Sequence, residues 1–267
     1  MNPSLLLGGL LTGLLLGIAG LAMVWTPYDP TAIDIAHRLA GPSAAHWLGQ
    51  DDYGRDVVSM LMAGTVHTLA VSLAAVALGA AIGVPAGLFA AWRGGAGSVL
   101  VMRTADLIFA FPAVLTAVML TALLGPGSSN AALAIGVFNV PVFARVARAA
   151  GLGVWRKDYV LAARVAGRSD WAIALDHVLP NVAAALIVQA TIQFALAIIA
   201  DAGLAYVGLG TQPPLPSWGR MLNAAQTYIW RAPRLAILPG LAISLAVLGL
   251  NLLGDGLQHA FDPRRQR

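Results

Sequence analysis

From Leu5 to Trp25 the chain carries no charged side chain, and between Val66 and Trp92 only His67 can ionise. A helix that spans a bilayer needs about 20 consecutive, mostly apolar residues. Two such runs in 267 residues already strain a water-soluble fold, and the whole chain is 58% hydrophobic and only 10% charged. Soluble domains carry about 25% charged residues. The chain is therefore read as an all-α, polytopic membrane protein.

Further apolar runs bring the expected spans to six, at about 5–25, 66–92, 104–124, 131–147, 182–209 and 236–255, in one transmembrane domain covering 1–267. The first could be a signal peptide. Its flank, Met1 to Ser4, holds no Lys or Arg, and no small-x-small cleavage site precedes a polar start, so it is read as a span with Trp25 at the interface. Six spans put both termini on one side. Eleven of the 16 cations, among them Arg93, Arg103, Arg145, Arg148, Arg156, Lys157, Arg164, Arg168, Arg264, Arg265 and Arg267, fall on that side, against Arg38, Arg55, Arg220, Arg231 and Arg234 on the other. Positive charge collects in the cytoplasm, so both termini are expected there. This topology also accounts for the basic balance, and no nucleic-acid partner is expected. Cysteine is absent, which excludes disulfides and thiolate sites.

Within the spans, Gly79, Gly83 and Gly87 form a doubled small-xxx-small ridge along which another helix can approach closely. Pro85, Pro112 and Pro141 each remove a backbone donor and invite a kink or hinge. Intramembrane polar groups are costly and so informative. Gln189, Gln193 and Asp201 fall at about 0°, 40° and 120° around a helix, within one broad sector. That sector is a candidate translocation path, with a structural cap or hydrogen-bonded acid the plainer reading of Asp201. Asn251 and Asp255 read as structural.

Three connections are long: 26–65 and 211–235 outside, and 147–181 inside. Most links between elements are about 2–8 residues. The inner one, over 156–181, reads as a short amphipathic helix, a break at Gly167, and a second helix stopped by Pro180. Ala162, Ala163 and Ala166 leave room for another surface, so the segment reads as a docking knob.

Here the residues resemble a known family. Leu161-Ala162-Ala163, three residues, Gly167, nine residues, His177-Val178-Leu179-Pro180 is similar in spacing to the EAA loop of ABC importer permeases, whose pattern is Glu-Ala-Ala, three residues, Gly, nine residues, Ile-x-Leu-Pro. Leu161 stands at the Glu position and His177 at the Ile position. His46-Trp-Leu-Gly-Gln-Asp-Asp-Tyr-Gly-Arg-Asp56, Tyr206 to Gly219 and Asn251 to Pro263 resemble the second permease of dipeptide, oligopeptide and nickel importers. The likeness runs from Tyr28 to Pro263.

What the resemblance implies is a type I importer permease that pairs with a second homologous permease, with two ATP-binding cassette subunits and with an extracytoplasmic solute-binding protein, in the bacterial inner membrane. Leu161, Ala162, Ala163, Gly167, His177, Leu179 and Pro180 would then couple ATPase closure to alternating access. The chain has no GxxxxGK[ST] loop, so ATP and Mg are expected on the partner ATPases, with no cofactor and no catalytic site here. Cues to peptide and to nickel or nickel-chelate cargo are balanced.

Other classes fit less well. His37, His46, His67, His177 and His259 lack metal-ligand spacing, and His46 with Asp51, Asp52 and Asp56 reads as a loop fixed by turn hydrogen bonds before it reads as a cation site. A membrane-embedded enzyme would need a nucleophile and base, or paired carboxylates, in the spans. An ion-coupled carrier would need intramembrane acids and an internal repeat; Asp201 alone is thin support.

Overall fold

The computed structural model describes residues 3–111 and 113–261. Pro112, Pro263, Arg264, Arg265 and Arg267 lie outside the described residues. The helices are α1 (Pro3–Ala22), α2 (Val57–Arg93), α3 (Gly95–Phe109), α4 (Ala113–Leu124), α5 (Ser128–Val154), α6 (Asp158–Val165), α7 (Asp170–Ile173), α8 (Leu179–Tyr206), α9 (Trp218–Ala225) and α10 (Arg234–Phe261). A π-helical turn, Ala174–Val178, joins α7 to α8, so one helical run covers Asp170–Tyr206. Among the described residues five helices are long and apolar enough to cross a membrane: α1, α2, α5, the α7–α8 run and α10.

Glycine explains the most intimate pairing. Gly79, Gly83 and Gly87 are all buried in α2. A Cβ at Gly83 would lie 2.8 Å from the Phe143 Cβ, and one at Gly87 would lie 2.8 Å from the Ala147 Cβ, so α2 and α5 meet backbone to backbone. The partners advance together, Gly79 with Asn139, Gly83 with Phe143 and Gly87 with Ala147, which makes the two helices parallel. Between these two parallel helices the chain runs through α3 and α4.

Over the expected span 104–124 the chain forms two helices and not one. α3 ends at Phe109 and α4, 12 residues long, ends at Leu124. The sequence supplies the reason: the residue before a proline, here Phe111, is disfavoured in the α conformation. By contrast α2, α5 and α10 continue through Pro85, Pro141 and Pro239. The α1–α10 and α5–α8 pairs are antiparallel: Gly8 and Gly256 of α1 and α10 abut Leu253 and Leu5, and Asn139 and Gly151 of α5 meet Gln193 and Val178, while Gly254 of α10 abuts Thr191 of α8.

Outside the spans, most of 28–47 is exposed, and the segment is tied down at its 49–56 end. Asp51 and Asp56 are buried. The Arg55 Nη2 lies 2.6 Å from the Asp51 carboxylate. Asp56 caps α2, accepting from the Ser59 backbone N–H at 2.8 Å, while its other oxygen lies 2.9 Å from His46 Nδ1. Arg234 of α10 donates to the Leu39 and Ala40 carbonyls at 3.1 and 2.7 Å. Trp218 of α9 plugs the outer part of α2, its indole donating to the Leu61 carbonyl at 3.2 Å over Gly64.

Candidate functional site

At one end of the bundle, α6 and α7 fold as a knob keyed into it. Val160, Ile173 and Val178 are fully buried and pack with Leu88 and Ala91 of α2 and Ala147 of α5. Close-packed side chains thereby join the knob to the ends of α2 and α5.

Gly167 makes the turn as the break in the sequence suggested. Its φ is +80°, a conformation that costs other residues about 1–2 kcal/mol. The Gly167 N–H donates to the Arg164 carbonyl at 3.0 Å and the Arg168 N–H to the Ala163 carbonyl at 3.1 Å, the paired bonds of a Schellman cap. Ser169 then caps α7 through its Oγ, which accepts from the Ala172 N–H at 3.3 Å. Arg164 with Asp170 (3.1 Å) and Arg168 with Asp176 (2.8 Å) brace the corner from its solvent side.

Pro180 does not stop the second helix, contrary to the sequence expectation. A proline in an α-helix clashes with the carbonyl four residues back. The π-turn immediately before it, with hydrogen bonds reaching one residue further, opens the backbone there and lets the helix continue. The Asn181 side-chain amide donates to the His177 carbonyl at 2.7 Å, and the His177 ring meets Tyr159 edge-on at 6.1 Å. Leu161, Ala162, Gly167 and Pro180 are exposed, while Ala163, His177 and Leu179 are partly covered. Sequence reasoning missed the two most exposed large apolar side chains of the knob, Val165 (90%) and Trp171 (70%). Their spacing within short helices gave no periodic signal; with Leu161 they are exposed apolar side chains on a knob that also exposes Arg164, Arg168 and Asp176.

In the membrane, a cavity of about 710 Å³ opens between α4, α5 and α8, lined by apolar side chains including Phe109, Ala117, Leu196 and Tyr206. Its polar feature is a pair: the Gln193 Nε2 donates to the Asn139 Oδ1 at 2.7 Å. Gln189 donates in turn to the Gln193 Oε1 at 3.2 Å. The Asn139 amide nitrogen is buried with no partner among the described residues. Of the three sector residues, Gln189 and Gln193 come together, and only Gln193 lines the cavity. Asp201 is fully buried, lies outside the lining, and its carboxyl oxygens have no hydrogen-bond partner among the described residues. Asn139 was not singled out from sequence, because its pairing across 54 residues has no local signature.

The family model for the binding-protein-dependent transport system inner membrane component matches residues 83–267. The chain belongs to that family. This permease is 42% identical over 257 residues to the glutathione transport system permease protein GsiD of Pectobacterium atrosepticum, spanning 96% of this chain and 85% of that one. It is 41% identical over 229 residues to the dipeptide transport system permease protein DppC of Alkalihalophilus pseudofirmus, spanning 86% and 75%. The fold is shared with a solved structure of the MetNI methionine ABC transporter in an inward-facing conformation, with a TM-score of 0.60 at 20% identity over 75% of this chain and 95% of that one. The permease is thus a multi-pass inner-membrane transport component of the bacterial ABC importer class and not an enzyme. That membership sets aside the carrier and membrane-enzyme readings, and implies ATPase and binding-protein partners.

Proposed function

We propose that this permease forms half of the translocation path of an importer for di- or oligopeptides. The chain crosses the membrane six times with both termini cytoplasmic, pairs with a second homologous permease, and docks two ATPase subunits that bind ATP and Mg. The parallel α2–α5 pair supports six crossings, since it requires α3 and α4 together to serve as one. The cation distribution supports the orientation. The names of the glutathione and dipeptide relatives favour peptide cargo over nickel.

In this reading Leu161 to Pro180 is the coupling element, and the observation that carries it is the buried Val160–Ile173–Val178 key beneath the exposed Leu161, Val165 and Trp171 side chains. Force from the ATPases enters at Leu161, Val165 and Trp171. Rigid packing passes it to α2 and α5, and rocking of these helices changes access to the cavity at Asn139 and Gln193. These two side chains offer the passing peptide amide hydrogen bonds in an otherwise apolar passage.

The test is reconstitution of this chain in proteoliposomes with the products of its neighbouring genes. ATP-driven uptake of labelled glutathione or dialanine that requires the binding protein and fails with Trp171→Asp is expected. Uptake by the chain alone, or uptake unaffected by Trp171→Asp, refutes the coupling reading.

A further inference from the structure

On the outer face, away from both the knob and the membrane cavity, lies a second cavity of about 240 Å³ lined by Asp52, Tyr53, Arg55, Arg220, Asn223 and Tyr228 among others. Its walls come from two segments that the fold holds rigidly. The 51–55 turn is fixed by Asp51, which accepts from the Tyr53 and Arg55 backbone N–H groups at 2.9 and 2.8 Å. α9 is fixed by its Ser217 cap and by buried Trp218.

Three charged side chains face this space, and one is already engaged. The Arg55 guanidinium is paired with Asp51 and lies 4.9 Å over the Tyr53 ring. Asp52 and Arg220 are both half-buried, and among the described residues neither forms an ion pair with the other or with anything else. Both are held in surroundings that oppose their charge. Burial, then the neighbouring Asp51, pushes the Asp52 carboxyl up; burial, then the Arg55 guanidinium, pushes Arg220 down. Charges kept against their surroundings in a cleft mark sites with a use outside the fold itself.

We propose that this pocket receives the two charged ends of a free short peptide, its carboxylate on Arg220 and its ammonium on Asp52, with Asn223, Thr227 and Tyr228 available to the intervening amide. The assignment rests on the peptide reading of the transporter. Drug-sized sites occupy about 300–1,000 Å³, so the smaller volume here suits one or two residues of a peptide. The pocket also adjoins the membrane passage: the Asn223 amide that lines it donates to the Tyr206 carbonyl at 2.6 Å, and Tyr206 lines the larger cavity. A peptide held here sits beside the outer end of the route.

The experiment uses the assembled transporter in nanodiscs without binding protein, and equilibrium binding of labelled L-alanyl-L-alanine, its N-acetyl derivative and its C-terminal amide. Arg220→Gln is expected to weaken dialanine binding by about tenfold or more while leaving the amide unchanged; Asp52→Asn should weaken dialanine and leave the N-acetyl derivative unchanged. The analogue that each variant still binds equally reports that the protein is intact. Loss of all three ligands together, binding indifferent to both substitutions, or no dialanine binding to the wild type overturns the proposal. ATP-driven dialanine uptake with the binding protein, measured alongside, separates the two readings. Uptake that persists beside a failed pocket refutes the pocket alone, and absence of uptake of any peptide refutes the cargo reading as well.

Discussion

Gly79→Ala tests the link between helix packing and the polar pair in the membrane cavity. A Cβ at Gly79 would lie 3.0 Å from the carbonyl carbon and 3.1 Å from the Cα of Asn139, and nearer still to its Cβ. Carbon atoms rest at about 3.5–4.0 Å, so α5 must withdraw by roughly 1 Å at this level. That movement shifts Asn139 relative to Gln193 and strains the 2.7 Å bond between them. Overpacking costs about 1–3 kcal/mol, and an interhelical hydrogen bond in a membrane contributes about 0.6 kcal/mol, at most about 1.7. Alanine's better helix propensity offsets about 1 kcal/mol. The net expectation is destabilisation by about 1–3 kcal/mol. Gly17→Ala is the control, since a Cβ there meets nothing within 4 Å and only the propensity gain remains. Thermal unfolding in nanodiscs, read beside ATP-driven uptake, compares the two. If Gly79→Ala melts at or above the wild type, the close α2–α5 approach and its hold on Asn139 are wrong.

Gly167→Val, strained only through its backbone because the space around it is open, should lower coupled uptake with membrane insertion intact; Gly167→Asn, which tolerates a left-handed φ, should lose less. Uptake assays beside immunodetection in membranes decide this. Asp56→Ala removes the α2 cap and the partner of His46, and should destabilise by about 2 kcal/mol in thermal unfolding, whereas Asp56→Asn keeps an acceptor and should cost less. For Asp52 the fold favours the protonated form, so its contribution is present at low pH and is lost as pH rises through the raised value. Asp52→Asn should therefore raise the melting temperature near neutral pH and leave it unchanged in acid. Solvent screening keeps the effect below about 1 kcal/mol.

Much of the bundle is legible in the residues. Apolar length locates the spans, the Gly79–Gly83–Gly87 ridge announces the α2 contact, and Gly167 marks the corner of the knob. What sequence left out follows from the same physics. Hydropathy places the bilayer core, not helix ends, so α2 begins at Val57, above the apolar run, and α5 continues past Arg145 to Val154. There Arg145 pairs with Asp106 at 2.7 Å, and Arg148 donates to the Ser98 Oγ at 2.8 Å. The 100°-per-residue projection grouped Asp201 with Gln189 and Gln193, yet which flank of a broad sector faces a cavity depends on neighbouring helices. Long-range partners such as Asn139 for Gln193 require the fold itself.

The π-turn at Ala174–Val178 has a geometric consequence for the knob. A π-turn takes about one more residue to close than an α-turn, so it absorbs a residue locally and the helix on either side largely keeps its facing. Trp171 and the cavity face of α8 thus hold their relative bearing although the residues between them do not follow the count of about 100° per residue. Deleting Ala174 would rebuild a plain α-turn with little change in that bearing, and would return Pro180 to its clash with the carbonyl four residues back. The additional residue makes room for the proline and leaves the direction of the knob as it was.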